Sequence, residues 1–292
     1  MALSINQNIM AMNSYRNLSA TQGGLAKSLE KLSSGFRVNR AADDAAGLGI
    51  SEGLRSQVRG NGQAVRNAQD GISLVQTAEG ALNEVHDMLQ RMRVLAVQGA
   101  NGTNSEKNMG SINEELLALT EEIGRISKVT DFNGLKLLDG SVKNGVVFQV
   151  GANATTDDTI TVAGQDISGY QKALGDLIAK KDTATTPGKT VVTTVAKDNT
   201  TYQALITALD EKIADVSTKR GSFGAVQNRF EHTINNLNVA VENLAASESR
   251  IRDTDMAAEM MQFTRGQILS QAGTAMLAQA NQVPQGVLSL LR

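Results

Sequence analysis

Two histidines, His86 and His232, are the only imidazoles in this 292-residue chain, and cysteine is absent. A zinc site draws several such ligands to one point, and neither histidine stands in a His-Glu-x-x-His pattern. Both read as exposed helical histidines. The run Gly47-Leu48-Gly49-Ile50-Ser51-Glu52-Gly53 has the outline of a dinucleotide fingerprint. Its glycine spacing is one residue too long, and no strand precedes it to aim a pyrophosphate at a helix start. Asp43-Asp44 offers neighbouring carboxylates for acid–base work. Following Ala41-Ala42 and preceding a helical stretch, they read instead as a helix cap meeting the helix dipole. Asp253 and Asp255, just before Met256, read the same way. No nucleophile stands beside a base, so no catalytic, cofactor or metal site is expected, and the chain is read as a non-enzyme. The ten methionines, many of them in helical seams, read as core fillers.

What the residues do encode is length. From Leu54 the apolar positions step by four and three through Val58, Val65, Ala68, Ile72 and Val75. After one extra step of three they resume as Ala78, Leu82, Val85, Leu89, Met92 and Ala96. This is the stripe of a long amphipathic helix, and about 45 such residues make a rod of roughly 65–70 Å. Gly99–Ser105 breaks it, with capping boxes at Thr103–Glu106 and Ser111–Glu114. A second helix follows on Ile112, Leu116, Leu119, Ile123 and Ile126. Turns at Asn133-Gly134 and Asp139-Gly140 lead to a hairpin from 142–150 and 159–163, rich in Val, Phe, Ile and Thr. A third rod, from about Tyr202 to Arg250, carries the seam Phe223, Phe230, Ile234, Leu237, Val241 and Leu244, with a bend expected at Gly221–Gly224. Residues 164–201 read as a short exposed excursion with a possible strand at 190–195. The Thr-rich stretch from Thr183 to Thr201 is open to O-linked sugar or to being a plain solvated loop.

The ends differ from the rods. Residues 1–26 hold one charge, Arg16, and residues 260–292 hold two, Arg265 and Arg292. Leu269, Met276, Val283 and Leu290 recur every seven residues, and Gly273, Ala280 and Val287 keep the same step four positions later. A seven-residue apolar repeat is the seam of a helix packed lengthwise on another. A solvated helix carries charge on its outer face, and this one has almost none, so both faces are expected to meet protein. Ends of this kind are expected to order on assembly, leaving a monomer ordered near 50–250.

Composition agrees. The chain is 41% hydrophobic but only 3% aromatic, so burial rests on aliphatic side chains along extended surfaces. A net charge of −2 without long runs of one sign argues against nucleic acid. No window reaches the ~18 apolar residues of a membrane span, so no membrane insertion is expected. The N-terminus lacks the basic and apolar regions of a cleavable signal peptide. The fold class expected is mainly α: long antiparallel helical rods and a terminal coiled coil, with a small β-hairpin-rich middle.

Ile5-Asn6-Gln7-Asn8, Leu32-Ser33-Ser34-Gly35 and Ala41-Ala42-Asp43-Asp44-Ala45-Ala46-Gly47-Leu48 resemble the N-terminal signatures of bacterial flagellin. Ser249-Arg250-Ile251-Arg252-Asp253, Gln279-Ala280-Asn281-Gln282, Val287–Arg292 and Gly224–Phe230 are similar to its C-terminal half. The resemblance covers about 1–150 and 202–292. It implies a subunit exported unfolded through the flagellar type III channel and polymerised beneath a cap into an extracellular helical filament used for swimming. The domains implied are a terminal coiled coil (1–43 and 255–292) as filament inner core, a helical rod layer with its hairpin (44–163 and 202–254), and a short variable surface segment (164–201). Ile5, Ile9, Met12, Leu18, Leu25, Leu29 and Leu32 would then join Leu269, Met276, Val283 and Leu290 in polymerisation. The rod core would hold Leu82, Val85, Leu89, Met92, Ile112, Leu116, Leu119, Ile123, Phe230, Ile234, Leu237, Val241 and Leu244.

Partners implied are other copies of the chain, an export chaperone, the filament cap and junction proteins, and a host Toll-like receptor that senses flagellins. Arg91, Leu95 and Glu115 match that receptor's pattern, whereas Val94 stands where the pattern carries Glu. The alternative within the same class is a hook–filament junction (hook-associated) protein, which resembles flagellin at its ends but forms a short collar. An adhesin-like binding module would need its affinity in the middle segment.

Overall fold

The protein is described here by a computed structural model covering residues 7–142, 144–178 and 199–290; the side chains of 199 and 283–290 are outside the description. The chain is mainly helical. In order, it forms α1 (Ile9–Ser34), α2 (Ala45–Gly99), α3 (Glu106–Val129), β1 (Asp131–Phe132), β2 (Leu135–Lys136), β3 (Val146–Gln149), β4 (Thr159–Val162), α4 (Ser168–Ile178), α5 (Asn199–Arg252) and α6 (Met256–Leu290). Two compact units result: Met1–Val58 with Val241–Arg292, and Arg59–Ala240. Their boundaries fall within the residue ranges of α2 and α5.

In the second unit one aliphatic core runs along the residue-59–99 part of α2. Leu82, Val85, Leu89 and Met92 on α2 meet Ile112, Leu116 and Ile123 of α3 and Tyr202, Leu205, Leu209, Val216, Phe223 and Phe230 of α5, all of them buried. Leu119 and Ile234 pack at its edge. Phe230 is fully buried; a Cβ on Gly71 would lie 2.6 Å from its Cζ, so that glycine is what admits the ring. Phe148 of β3 closes the other side edge-on, with ring centroids 5.6 Å apart. The hairpin pairs antiparallel from Val146↔Val162 to Gln149↔Thr159, and β1–β2 turns at Asn133-Gly134, where both residues take positive φ.

Several expectations shift in detail. Ser105 caps α3, its hydroxyl accepting the Asn108 N–H at 3.3 Å, whereas Thr103 sits in the preceding turn and Ser111 lies inside the helix. The part of 164–201 that is described is no exposed excursion. Ile167, Tyr170, Leu174 and Ile178 are buried, and α4 lies on α3, with Gln171 filling the space above Gly124. Its apolar residues step by three and four, a short pattern masked by the Gly- and Thr-rich residues around it. The expected strand at 190–195 and most of the Thr-rich stretch lie outside the described residues. Helix α5 passes through Gly221 and Gly224 without interruption.

Candidate assembly surface

The first unit is built on α1 and α6, which pack along each other antiparallel within the single chain, so the ends expected to order only on assembly already form a pair without a second copy. Asn8 fixes one end of the pair twice. Its Oδ1 accepts the Ala11 N–H at 3.0 Å as helix cap, and its Nδ2 donates to the Ala280 carbonyl at 2.8 Å. Gly35, at φ 75°, ends α1 in the left-handed region with its N–H on the Lys31 carbonyl.

On α1 the residues turned toward the partner are Ala11, Ser14, Leu18, Thr21, Leu25, Ser28 and Leu32, stepping three and four in turn. On α6 they are Glu259, Phe263, Gly266, Ser270, Gly273, Leu277 and Ala280, with the same step. Leucines on one helix therefore face glycines on the other. A Cβ on Gly273 would stand 3.2 Å from Leu18 Cδ1, and one on Gly266 would stand 3.3 Å from Leu25 Cδ1. Small residues let the backbones approach at these two points, and the half-buried Phe263 and Leu277 of α6 share the seam with the leucines of α1.

This corrects the expected seam. The line through Leu269 and Met276 points away from α1, and these residues are 53% and 60% exposed. Ile9, Met12 and Leu29 on α1 also point outward, while Leu18 is buried and Leu25 and Leu32 are half-buried. The physical reason is bulk. Opposite Leu18 and Leu25 there is room only for Gly273 and Gly266, so the line that carries the glycines turns inward, together with the half-buried Phe263 and Leu277. The side chains of Ile5, Val283 and Leu290 lie outside the described residues. The methionines depart from expectation too: Met92 is buried, but Met10, Met12, Met256, Met260, Met261 and Met276 are exposed on α1 and α6.

Where α1 ends, the chain is stapled to the start of α6. Phe36 bridges to Asp253, the Arg37 N–H donates to the Arg252 carbonyl at 2.6 Å, and the Thr254 N–H donates to the Gly35 carbonyl at 3.0 Å. The Arg252 guanidinium lies over the Phe36 ring at 4.7 Å and donates to Glu52 at 2.8 Å. Sequence reasoning missed this corner: Phe36, Glu52 and Arg252 are far apart in the chain and have no shared period. The paired acids divide their work. Asp44 accepts the Gly47 N–H and caps α2, and Asp255 accepts the N–H groups of Ala257 and Ala258 and caps α6. Asp43 instead accepts from the Asn39 and Arg40 N–H groups, and the Arg40 bond foremost holds its carboxyl below the usual range. Asp253 takes the Ser249 hydroxyl at 2.6 Å.

In the second unit, Arg91 pairs with Glu115 at 2.8 Å on the surface, and Arg93 pairs with Asp210 at 2.6 Å. Val94 beside them is exposed. Leu95 is only 2% exposed, so its side chain belongs to the core and offers no contact surface. Leu237 is half-buried on the wall of an open depression with Ala152, Ile160 and Arg229, and within the first unit Val241 and Leu244 are likewise half-buried. These three seam residues lack the complete cover that Phe230 has. Among the described residues no three His, Cys, Asp or Glu side chains come together as a metal site, and no helix is long and apolar enough to cross a membrane.

Comparison with known proteins bears on the whole chain. Residues 5–143 match the bacterial flagellin N-terminal helical region, and residues 206–291 match the bacterial flagellin C-terminal helical region. A flagellin of Halalkalibacterium halodurans is 53% identical over 288 residues, and one of Bacillus subtilis is 50% identical over 307, each covering 99% of both chains. A flagellar filament 33 kDa core protein of Treponema phagedenis is 45% identical, again over 99% of both. A hook-associated protein structure from Vibrio parahaemolyticus shares the fold, with a TM-score of 0.59 over 72% of this chain and all of that one, at 16% identity. With both terminal regions matched and half of its residues shared with full-length relatives, the chain belongs to the bacterial flagellin family, a structural protein and not an enzyme.

Proposed function

We propose that this chain is the subunit of an extracellular flagellar filament and builds it by self-polymerisation through α1 and α6. The observation that carries this reading is the outward apolar line on both helices. Ile9, Met12, Leu29, Leu269 and Met276 stay exposed after the two helices have satisfied each other, and all but Leu29 lie in 1–26 or 260–292, which carry almost no charge. Large uncovered apolar surface on nearly uncharged helices is the signature of a protein–protein interface. Further copies of the chain are the occupant that suits relatives named as filament core proteins.

In this reading 1–43 with 255–292 form the inner core and 44–163 with 202–254 the layer around it, to which α4 is joined through α3, and the remainder of 164–201 is the outermost segment. Export proceeds unfolded through the flagellar type III channel, which a chain without cysteine can pass without cross-linking. A chaperone, the filament cap and junction proteins are its transient partners. The exposed Arg91–Glu115 pair is where a host flagellin receptor would engage, on a surface the filament would cover. A hook–filament junction protein is the second reading, supported by the shared fold; the full-length relatives named flagellin favour the filament.

Electron microscopy after salt-induced assembly tests the proposal. Filaments of micrometre length support it, and short collars favour the junction protein. Deleting residues 283–292 should abolish assembly with the thermal melt of the monomer nearly unchanged. A truncated chain that still builds long filaments would overturn it.

A further inference from the structure

Oxidisable sulfur is unevenly placed in this molecule. There is no cysteine, and six of the ten methionines lie exposed on α1 and α6. They are Met10, Met12, Met256, Met260, Met261 and Met276, between 48% and 67% exposed. In the second unit Met92 is fully buried and Met88 and Met109 are packed against the core. Met260 and Met261 also line, with Ile268 and Leu269, a shallow groove of about 520 Å³ on the outer side of α6. Burying structural methionine in one unit and displaying it in the other divides the chain into an oxidation-resistant part and an oxidation-sensitive part.

We propose that the thioethers of α1 and α6 are a peroxide-sensitive modification site that controls assembly. This rests on the self-polymerisation reading. Hydrogen peroxide is the co-reactant. The sulfur lone pair attacks one peroxide oxygen, an S–O bond forms as the O–O bond breaks, and the other oxygen leaves as water after taking a proton. Sulfur loses two electrons and peroxide gains them. The product sulfoxide is polar, chiral and a strong hydrogen-bond acceptor. A surface of methionine, leucine and isoleucine can be buried dry between subunits, whereas one carrying sulfoxides must leave their oxygens unpartnered or stay wet. The free chain is therefore the vulnerable form. The assembled one shields the same sulfurs, and methionine sulfoxide reductases can restore assembly competence before burial, the oxygen leaving as water while two thiols of the reducing system become a disulfide.

The test compares the free chain with preformed filaments, each treated with hydrogen peroxide, by mass spectrometry and by sedimentation of assembled protein. In the free chain the six exposed methionines should each gain one oxygen, about 16 Da, while Met92 stays reduced. The sedimenting fraction should then fall by about tenfold and recover after treatment with both methionine sulfoxide reductases, one for each epimer, and a dithiol. The thermal melt should stay the same. In filaments the same six should oxidise about tenfold more slowly. A variant with all six replaced by leucine, close to methionine in volume, should show the same sedimenting fraction before and after peroxide, whatever its starting level. Full assembly of a fully oxidised wild-type chain overturns the proposal, as does a loss that the reductase cannot reverse. Untreated wild-type chain that never assembles would instead sink the polymerisation reading, and the oxidation proposal with it.

Discussion

Along α2 in the second unit, large apolar residues step by three and four and point inward: Leu82, Val85, Leu89 and Met92 are all buried. Along α6 in the first unit, Leu269 and Met276 keep a comparable step and point outward, while Gly266, Gly273 and Ala280 take the inner side. The helices differ less in pattern than in company. Helix α2 has α3, α5 and a β-hairpin to fill the space around its side chains. Helix α6 has α1 alone, and α1 already supplies leucine. A periodic line states that a helix has a partner; the volume on the partner decides which line faces it. In the first unit that leaves the bulkier line uncovered.

The largest effect on the single chain should come from the filled side of this comparison. Phe230→Ala removes a fully buried ring seated over Gly71 and against Phe148. It should cost about 3–5 kcal/mol of unfolding free energy, measured by denaturant titration of helical signal. A loss under about 1 kcal/mol would mean that the second unit is not held by this core. Leu237, two turns further along α5, makes the contrast. It is half-buried beside an open depression, so its burial alone supports only a fraction of that effect.

Gly273→Leu sharpens the other side. The new side chain would start 3.2 Å from Leu18 Cδ1 with no room to grow inward. Over-packing of this kind costs about 1–3 kcal/mol, and here it should fall on the α1–α6 pairing alone. Hydrogen exchange should quicken across 11–32 and 259–280 while the second unit keeps its protection. Equal protection in both units, or loss in both, would mean that the units are not separately held.

Much of this was legible in the sequence, and the misses have physical causes. Long rods, the break after Gly99, the hairpin and the third rod follow from period and turn residues, which act locally. The resemblance of both ends to flagellin reached the family. The orientation of α6 was not legible, because two lines with one period run four residues apart and only the facing leucines choose between them. Helix α4 has only four anchors, Ile167, Tyr170, Leu174 and Ile178, set among glycine, aspartate and lysine, too short a pattern to stand out. The Phe36–Arg252–Glu52 corner has no period at all, being a contact of chain ends. Apart from Met12 and Met276 on the terminal helices, methionine at helical spacing reads as filler, because composition cannot tell a sulfur packed in a core from one displayed on a surface.

Helix α4 offers a smaller test. The Tyr170 hydroxyl donates to Asp215, Lys219 donates to the same carboxylate at 3.0 Å, and Lys212 stands 5.1 Å over the ring. Burial alone would raise the Asp215 carboxyl, but the hydrogen bonds from Tyr170 and Lys219 outweigh it and hold it below its ordinary value. A carboxyl lowered in the folded state contributes fully above its unfolded value, near pH 4, and its contribution fades as pH falls through the lower folded value. Protection of 168–178 should therefore drop in acid and be flat from about pH 5 to 8. Tyr170→Phe should cost about 1 kcal/mol and shrink that acid dependence. An unchanged acid profile in the variant would detach Asp215 from the docking of α4.

The smallest effect on the single chain should come from Leu269→Asp, and it is the most telling. Leu269 is half in water already and faces away from α1. A charge there leaves the Leu18–Gly273 and Leu25–Gly266 contacts in place, so the melt should move by less than about 0.5 kcal/mol. Assembly should nevertheless fail, because the same carboxylate would be buried unpaired once another subunit covers the outer line, a cost far above that of an exposed one. Gly273→Leu should do the reverse, loosening the free chain while leaving the outer line unaltered. If Leu269→Asp lowers the melt as much as Gly273→Leu does, the outer line is packed within the chain and the two faces of α6 have been exchanged. If it assembles as readily as wild type, the surface that drives polymerisation lies elsewhere on the molecule.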